Sequence, residues 1–482
     1  MRQWMTPLLA LVLGAGCGSL PAAHPIPGQG DGATPVHDAA AGHDGGAGRD
    51  AGGDTARDAS LALLGAPLVF APTPAGFGLS AVVRAGDPTA LALQVQTATA
   101  GDWIDVGPAD HPAPDVAQWI VDDLPAGRRI PYRLVRPGSG EPLYAGSAQT
   151  QRPPGQPFTF ALIADTHIEP RDPVPADEDV GADVFGAMEQ TMLQVMPAVR
   201  AVAPDFLMNL GDLLDYHLFG FNAPPPDSTW ARLGYLNYRR LLGDATADAA
   251  HFTVIGNWDG ESGCNTPAEI ARSTSQRRLY TPGPSPETYP EGGSPNQDYY
   301  AFTWGDALFV VLNVMTYTPT CHLLDYEPGV PDDWTLGPAQ LDWLQRTLAA
   351  ATSKWRFLFI HHTVGGAAGD AADTAYGRGG GQAAYVGEQA RVHALMLQYG
   401  VQIFFYAHDH VFTDMVVDGV HYTLPGSAGA PWKFDESQTG YTQYWTDSGF
   451  ARVDVSPDRV HVDFISTTGQ SVDSFTLPET AE

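Results

Sequence analysis

Phe158-Thr-Phe-Ala-Leu-Ile-Ala-Asp165-Thr-His167 is an apolar run of strand length that ends on an acid and a histidine. The run is continuous rather than alternating, which predicts a strand buried on both faces. The C-terminal end of such a strand opens into the crevice where open α/β sheets bind ligands. Asp165 and His167 lie two residues apart, so in extended chain their side chains project to the same side. A carboxylate oxygen beside an imidazole nitrogen is the beginning of a metal site.

Four later stretches repeat the design. Phe206-Leu-Met-Asn-Leu-Gly211-Asp212-Leu-Leu-Asp215 ends on Gly-Asp, and His251-Phe-Thr-Val-Ile-Gly256-Asn257-Trp258-Asp259 ends on Gly-Asn. Arg356-Phe-Leu-Phe-Ile-His361-His362 ends on a histidine pair, and Val401-Gln-Ile-Phe-Phe-Tyr-Ala-His408-Asp-His410 on His-x-His. Five buried strands, each delivering a metal-competent side chain at its C-terminal end, would converge on one sheet edge. A single histidine of this kind is ordinarily a hydrogen-bonded core residue; the ordered set is what points to a site.

This series resembles the calcineurin-like metallophosphoesterases from about Phe158 to Leu477. The stretch Pro338-Ala-Gln-Leu-Asp-Trp-Leu-Gln-Arg-Thr-Leu is similar to that family's Gln-Leu-x-Trp-Leu helix. The resemblance implies an α/β fold, a four-layer α/β/β/α sandwich, with two adjacent metal ions between the sheets. Carried over, one metal takes Asp165, His167 and His410, and the other takes Asn257, His361 and His408. Asp212 bridges them. His361 is preferred to His362 because it follows its strand directly. The resemblance also puts Asp212, Asn257, Asp259, His361 and His408 in the catalytic set. Oxygen and nitrogen donors without a thiolate suit Fe, Mn or Zn. Two such metals can hold a hydroxide at neutral pH and neutralise the attacking and leaving oxygens of a phosphoester. Asp215 stands where purple acid phosphatases carry a metal-bound tyrosine, so no purple colour is expected; it is expected to orient a ligand or cap the following turn.

Trp258 is the main departure, because the family's motif has a histidine there beside the leaving group. Indole can donate a hydrogen bond but cannot deliver a proton. His217, His322 and His362 are candidates for that task by position in the chain. The Gly-rich run from Gly365 to Gly381 would let backbone amides approach an anion, with Arg378 to grip it; the alternative is a plain surface loop. Arg378, Trp258 and His362 are the expected substrate contacts.

The remaining chain is organised around this half. A formal charge of −30 excludes a broad nucleic-acid surface and an extended contact with anionic membrane. Residues 1–17 carry Arg2, the apolar Leu8–Leu13 core and Leu13-Gly14-Ala15-Gly16-Cys17. This reads as a secretory signal and resembles a bacterial lipobox, with Gly14 where Leu is usual. Cys17 would then be acylated, anchoring an exported protein at the cell envelope; plain secretion is the alternative. Residues 18–60 are rich in Ala, Gly and Asp and nearly free of large apolar side chains, which predicts a disordered tether. Short alternating runs from 64 to 151 predict a small all-β sandwich, and Leu124 to Val135 resembles the late strand of a fibronectin type III domain. Such a domain also precedes the catalytic domain, here 158–478, in purple acid phosphatases.

Helices are predicted over Asp183–Val202, with Pro197 bending or ending it, and over Trp230–Leu242, Pro338–Ala350 and Gly387–Tyr399. Phe450–Val455 and Arg459–Ile465 predict a hairpin closing the second sheet. Tyr216–Thr229, Gly260–Gln297 and Tyr317–Thr335 read as long irregular insertions that wall the pocket. With Cys17 acylated, Cys264 and Cys321 remain, and an even remainder in an exported protein implies a disulfide. The expected function is hydrolysis of small phosphomonoesters or phosphodiesters. A phospholigand-binding protein without turnover and a surface adhesion protein are the alternatives. No protein partner is legible.

Overall fold

A computed structural model describes residues 61–96, 101–138, 140–169, 184–215, 228–263, 265–317, 335–363, 388–433, 441 and 443–478. Cys17, the tether, His217, Cys264, Cys321, His322, the Gly-rich run and Arg378 lie outside the described residues.

Among the described residues the metal-competent strands fall into two sheets. Phe158–Ile163, Phe206–Asn209 and Ala250–Thr253 pair in parallel, with Phe160 opposite Phe206 and Phe206 opposite Ala250. In the other sheet, Ala307–Val311, Trp355–Phe359, Ile403–Phe405 and Val420–Pro425 are parallel neighbours. Tyr300–Trp304 and Phe412–Val417 close its two edges antiparallel.

Alternation along each strand explains the layers. Phe160 and Leu162 point inward with Phe206, Phe309, Phe357, Phe359 and Phe405, making one core between the sheets. Phe160 stacks on Phe206 at 5.1 Å and meets Phe309 edge to face at 5.2 Å. Phe252 stacks on Phe302 at 4.4 Å, and Phe359 on Phe405 at 5.1 Å. Each such buried ring contributes about 1.5–3 kcal/mol. Ala161, Ile163 and Leu207 point outward onto Met192, Val195, Val199, Tyr235 and Leu241 of the helices Val184–Ala201 and Ser228–Leu242. On the far side, Leu358, Ile360 and Phe404 pack on Leu341, Leu344, Val392 and Met396 of Gly337–Ala350 and Glu388–Tyr399. Helix, sheet, sheet and helix follow one another, the order that the resemblance implies.

Four features differ from the sequence reading. The first helix continues past Pro197 to Ala201. Pro197 sits on its exposed side, while Met192, Val195, Met196 and Val199 hold the buried side across it. The C-terminal hairpin joins the first sheet, not the second: Gly449–Val455 pairs antiparallel with Phe158–Ile163. After Pro425 the chain crosses back, with Ala428 N–H donating to Ala164 O at 2.8 Å and Ala430 N–H to Asp165 O at 3.0 Å.

The insertion Gly260–Gln297 contains a helix, Pro267–Tyr280, instead of being irregular throughout. Thr266 and Glu269 form a reciprocal capping box at its start, with Pro267 in its first turn. Its exposed side lines a cavity with Gln118 and Ile120, strand residues N-terminal to the metal strands.

The fourth difference concerns the boundary near residue 151. Strands between Ala62 and Gln149 do form, but they divide between two sheets. Trp103–Asp105, Ala92–Gln96, Arg129–Val135 and Pro142–Gln149 make a four-stranded sheet. Leu68–Thr73, Gly76–Ala85, Val116–Val121 and Asp110–Ala113 instead extend the first metal-bearing sheet, through the parallel pair Phe70–His251. Val69, Phe77, Trp119 and Tyr132 share one core with Phe160 and Phe309. Buried Tyr132 donates to Ala247 O at 2.9 Å.

Candidate metal centre

The residues that close the five strands meet at one end of the two sheets. Asp165, His167, Asp212 and His410 form one group whose ligand atoms all lie within 4.8 Å of one another, and Asp212, His361 and His408 form a second. Asp212 belongs to both. Asn257 joins the second group through its carbonyl oxygen, 3.1 Å from His361 Nε2 and 2.8 Å from His408 Nδ1. The structure brings together all seven side chains expected as ligands.

Backbone conformation concentrates at these positions. Asp165, His167, Asp212, His408 and His410 all have left-handed backbone, with φ of +51°, +48°, +52°, +78° and +62°. Such residues cost of order 1–3 kcal/mol each and persist only where surroundings over-determine them. Here Asp165 N–H donates to Gly211 O at 3.0 Å, and His167 N–H to Asp212 O at 2.9 Å. The glycines of the two motifs are required by close approach. A Cβ on Gly256 would lie 2.1 Å from Asp212 Oδ1, and one on Gly211 2.8 Å from His361 Nδ1.

Outer hydrogen bonds aim the rings. His361 Nδ1 donates to Leu210 O at 2.8 Å, which turns Nε2 toward Asn257 Oδ1 at 3.1 Å and Asp212 Oδ2 at 3.2 Å. His410 Nδ1 donates to Trp432 O at 2.9 Å, leaving its Nε2 3.2 Å from His167 Nε2 and 3.5 Å from Asp165 Oδ1. Trp258 N–H donates to Asp212 Oδ1 at 2.8 Å. Asp259, expected in the catalytic set, is buried and accepts the backbone N–H groups of Gly256, Asp212, Leu213 and Leu214 at 2.8–3.1 Å. It clamps the Asp212 turn to the Asn257 turn. His362 gives Nδ1–H to Thr363 O at 2.9 Å, while its ring packs on His408 at 4.7 Å.

The electrostatics are those of a cation site. Asp165 Oδ2 and Asp212 Oδ2 are buried and have no hydrogen-bond partner among the described residues. Each carboxylate thus turns one buried oxygen without a hydrogen bond into the site, and a buried anionic oxygen of that kind calls for positive charge. Burial, and then Asp212, push Asp165 well above the usual carboxylate range. Burial works against charge on Asp212 and His361 too, but their mutual attraction wins: Asp212 falls below its ordinary value and His361 rises to about 9. Burial lowers His167 to about 4, and burial with His167 and Lys433 lowers His410. His167 and His410 are therefore neutral donors at neutral pH, as metal binding requires. Burial, then Asp212, raises Asp259 to about 7. The donor set is oxygen and imidazole nitrogen, and it fits divalent metals of the borderline kind.

Three residues at the site were not singled out in the sequence. Trp432 packs on His167 and His410 at 5.1 and 5.6 Å. Lys433, pulled down to about 8 by burial, donates to Ala430 O at 2.9 Å and Ser448 Oγ at 3.1 Å. Ser427 Oγ donates to Asp165 O at 3.1 Å. All three lie on the crossing after Pro425, whose sequence has no periodicity; Gly426-Ser427-Ala428-Gly429 was its one visible signal. Asp215 is buried, and neither carboxylate oxygen has a partner among the described residues.

The chain is similar in sequence or in fold to several known proteins. Tartrate-resistant acid phosphatase type 5 of Mus musculus is 22% identical over 307 residues, covering 59% of this chain and 82% of that protein. The Homo sapiens protein of the same name is 24% identical over 310 residues, covering 60% and 83%. Among solved structures, PhoD superposes with a TM-score of 0.60 over 86% of this chain and 89% of its own, at 15% identity, a likeness of fold. The family model described as "Calcineurin-like phosphoesterase" matches residues 158–412. With that match spanning more than half of the sequence, the chain belongs to the calcineurin-like phosphoesterases.

Proposed function

We propose that this phosphoesterase is dinuclear and hydrolyses small phosphomonoesters or phosphodiesters. The observation that carries the reading is the pair of metal-competent groups sharing Asp212. Asp165, His167 and His410 would hold one ion, Asn257, His361 and His408 the other, and Asp212 both. Fe, Mn or Zn fits the donors. When bound, two such ions supply a nucleophile from water at neutral pH and neutralise charge on the phosphoester.

The chain's own residues do the rest. Asp212 is held through Oδ1 by Trp258 N–H, which leaves Oδ2 to face His361 and His167, at 3.2 and 3.5 Å. Leu210 O and Trp432 O fix the tautomers of His361 and His410, keeping their Nε2 atoms as donors to a metal. Asp259 fixes the spacing of the two turns. His362, beside His408, and Arg378 would contact substrate. The family histidine that would protonate a leaving group is replaced by Trp258.

That replacement also favours a second reading, a binder of phosphorylated ligands without turnover. Assay of a phosphoester panel with metal-loaded protein separates the two. Turnover that Asp212→Asn abolishes supports the enzyme; tight phosphate binding without turnover of any ester supports the binder.

Export is part of the proposal and rests on the sequence of residues 1–17. Acylated Cys17 would tie the protein to the cell envelope, and membrane fractionation of Cys17→Ala tests it. A Cys264–Cys321 bridge is tested by peptide mapping under non-reducing conditions; alkylation of both thiols in the folded protein rules it out. The strands before residue 151 share a core with the catalytic sheets, which supports a structural role for them and not that of a separate spacer.

A further inference from the structure

Two tryptophans from distant parts of the chain wall the His167 and His410 side of the site. The Trp258 ring meets the His167 imidazole at 5.7 Å and 70° between planes. Trp432 meets the same imidazole at 5.1 Å and 62°, and the His410 imidazole at 5.6 Å and 59°. His167 and His410 are 0% and 3% exposed, whereas both indoles are half-buried. From solvent inward the order is therefore indole, then imidazole.

The backbones of both tryptophans are tied to the site. Trp258 gives its backbone N–H to Asp212 Oδ1, and Trp432 takes the Nδ1 proton of His410 on its carbonyl oxygen. Both residues are thus anchored to residues that would hold metal, and their rings rest on the His167 and His410 imidazoles. Pre-organised aromatic surface of this kind lowers the cost of ordering a bound group.

A phosphate gains little from an indole beside it. A flat apolar group carried by that phosphate gains burial and ring contact. Resting on the phosphoesterase reading, we propose that Trp258 and Trp432 form a specificity wall that selects phosphoesters whose alcohol portion is an aromatic ring. The wall also suits the chemistry of such esters. Hydrolysis breaks the P–O bond to the ring oxygen, water supplies the new P–O bond, and the phenolate leaves with the electron pair and takes its proton from solvent. No proton donor is needed at position 258, where indole has none to give.

The wall is tested by binding. Phenylphosphonate and methylphosphonate present the same phosphorus head, differ in the ring, and are not hydrolysed. Each is titrated calorimetrically into the full-length, Mn-loaded protein. Each ring contact is worth roughly two- to tenfold in affinity, so phenylphosphonate should bind about tenfold more tightly. Trp432→Ala and Trp258→Ala should each shrink that ratio, and Trp432→Phe should retain most of it. Equal affinities in the wild type, or a ratio that survives both alanine variants, overturns the wall while leaving the phosphoesterase reading intact. Binding of neither phosphonate overturns both.

Discussion

Trp258 decides how the proposed reaction must run. General acid catalysis typically contributes ~10²–10⁴ in rate, and indole cannot supply it. A plot of log(kcat/KM) against leaving-group pKa should therefore be steep, and Trp258→His should raise alkyl-ester turnover selectively, by up to roughly that factor. A shallow wild-type slope would show that another group already serves. His251 gives a second prediction at this scale. It is buried, bonds to Tyr238 OH at 2.9 Å, and burial, then Arg239, lowers it from 6.5 to about 3. The unfolded chain takes this proton near 6.5 and the folded chain only near 3, so its contribution to stability is complete above 6.5 and is lost as pH falls towards 3. Within that window, wild type should lose stability relative to His251→Gln by about 1.4 kcal/mol per pH unit. Urea unfolding of both proteins from pH 3 to 8 measures it; parallel curves would refute it. The ligands themselves were legible because each ends an apolar run. Trp432 and Lys433 were not, because they sit on a crossing segment where neither period 2 nor period 3.6 applies.

Elements were legible in proportion to how strongly burial patterns them. Phe158–Ile163 and Trp355–Phe359 read as strands because both faces are covered. The helix Pro267–Tyr280 has no comparable apolar stripe and reads as irregular; the capping box of Thr266 and Glu269 is the signal that could have found it. It is held by a buried ion pair instead: Arg277 Nε lies 2.6 Å from Glu261 Oε1, and the guanidinium also donates to Asn296 O and Gln297 O at 2.7 and 3.0 Å. Glu261 follows Asp259 by two residues, so this pair braces the turn that carries Asn257. Removing one partner leaves an uncompensated buried charge, at a cost of about 3–5 kcal/mol. Arg277→Met should lower the unfolding free energy by that amount, and Arg277→Met with Glu261→Met should recover much of the loss. A single variant as stable as wild type would mean the helix is held in some other way. Which sheet receives the C-terminal hairpin was not legible, since alternation fixes the buried face of a strand but not its neighbour.

At the scale of the whole molecule, the sandwich pattern before residue 151 was visible, but its fusion to the catalytic sheet was not. That fusion runs through the pair Phe70–His251 and a shared core, contacts nearly two hundred residues apart in sequence. A chain beginning at Arg152 would expose the strand Ala250–Thr253 as an edge and uncover Phe252. It should be insoluble or unfolded by near-UV circular dichroism, and a folded, active fragment would refute the shared core. The two halves of the metal centre depend on the same packing, because Asp165, Asp212 and Asn257 come from one sheet and His361, His408 and His410 from the other. Elemental analysis of the purified, metal-loaded protein tests the central claim most directly. Two metal ions per chain, falling by at least one in Asp212→Asn, is the predicted result. One metal or none in the wild type, with Asp212→Asn unchanged, would contradict it.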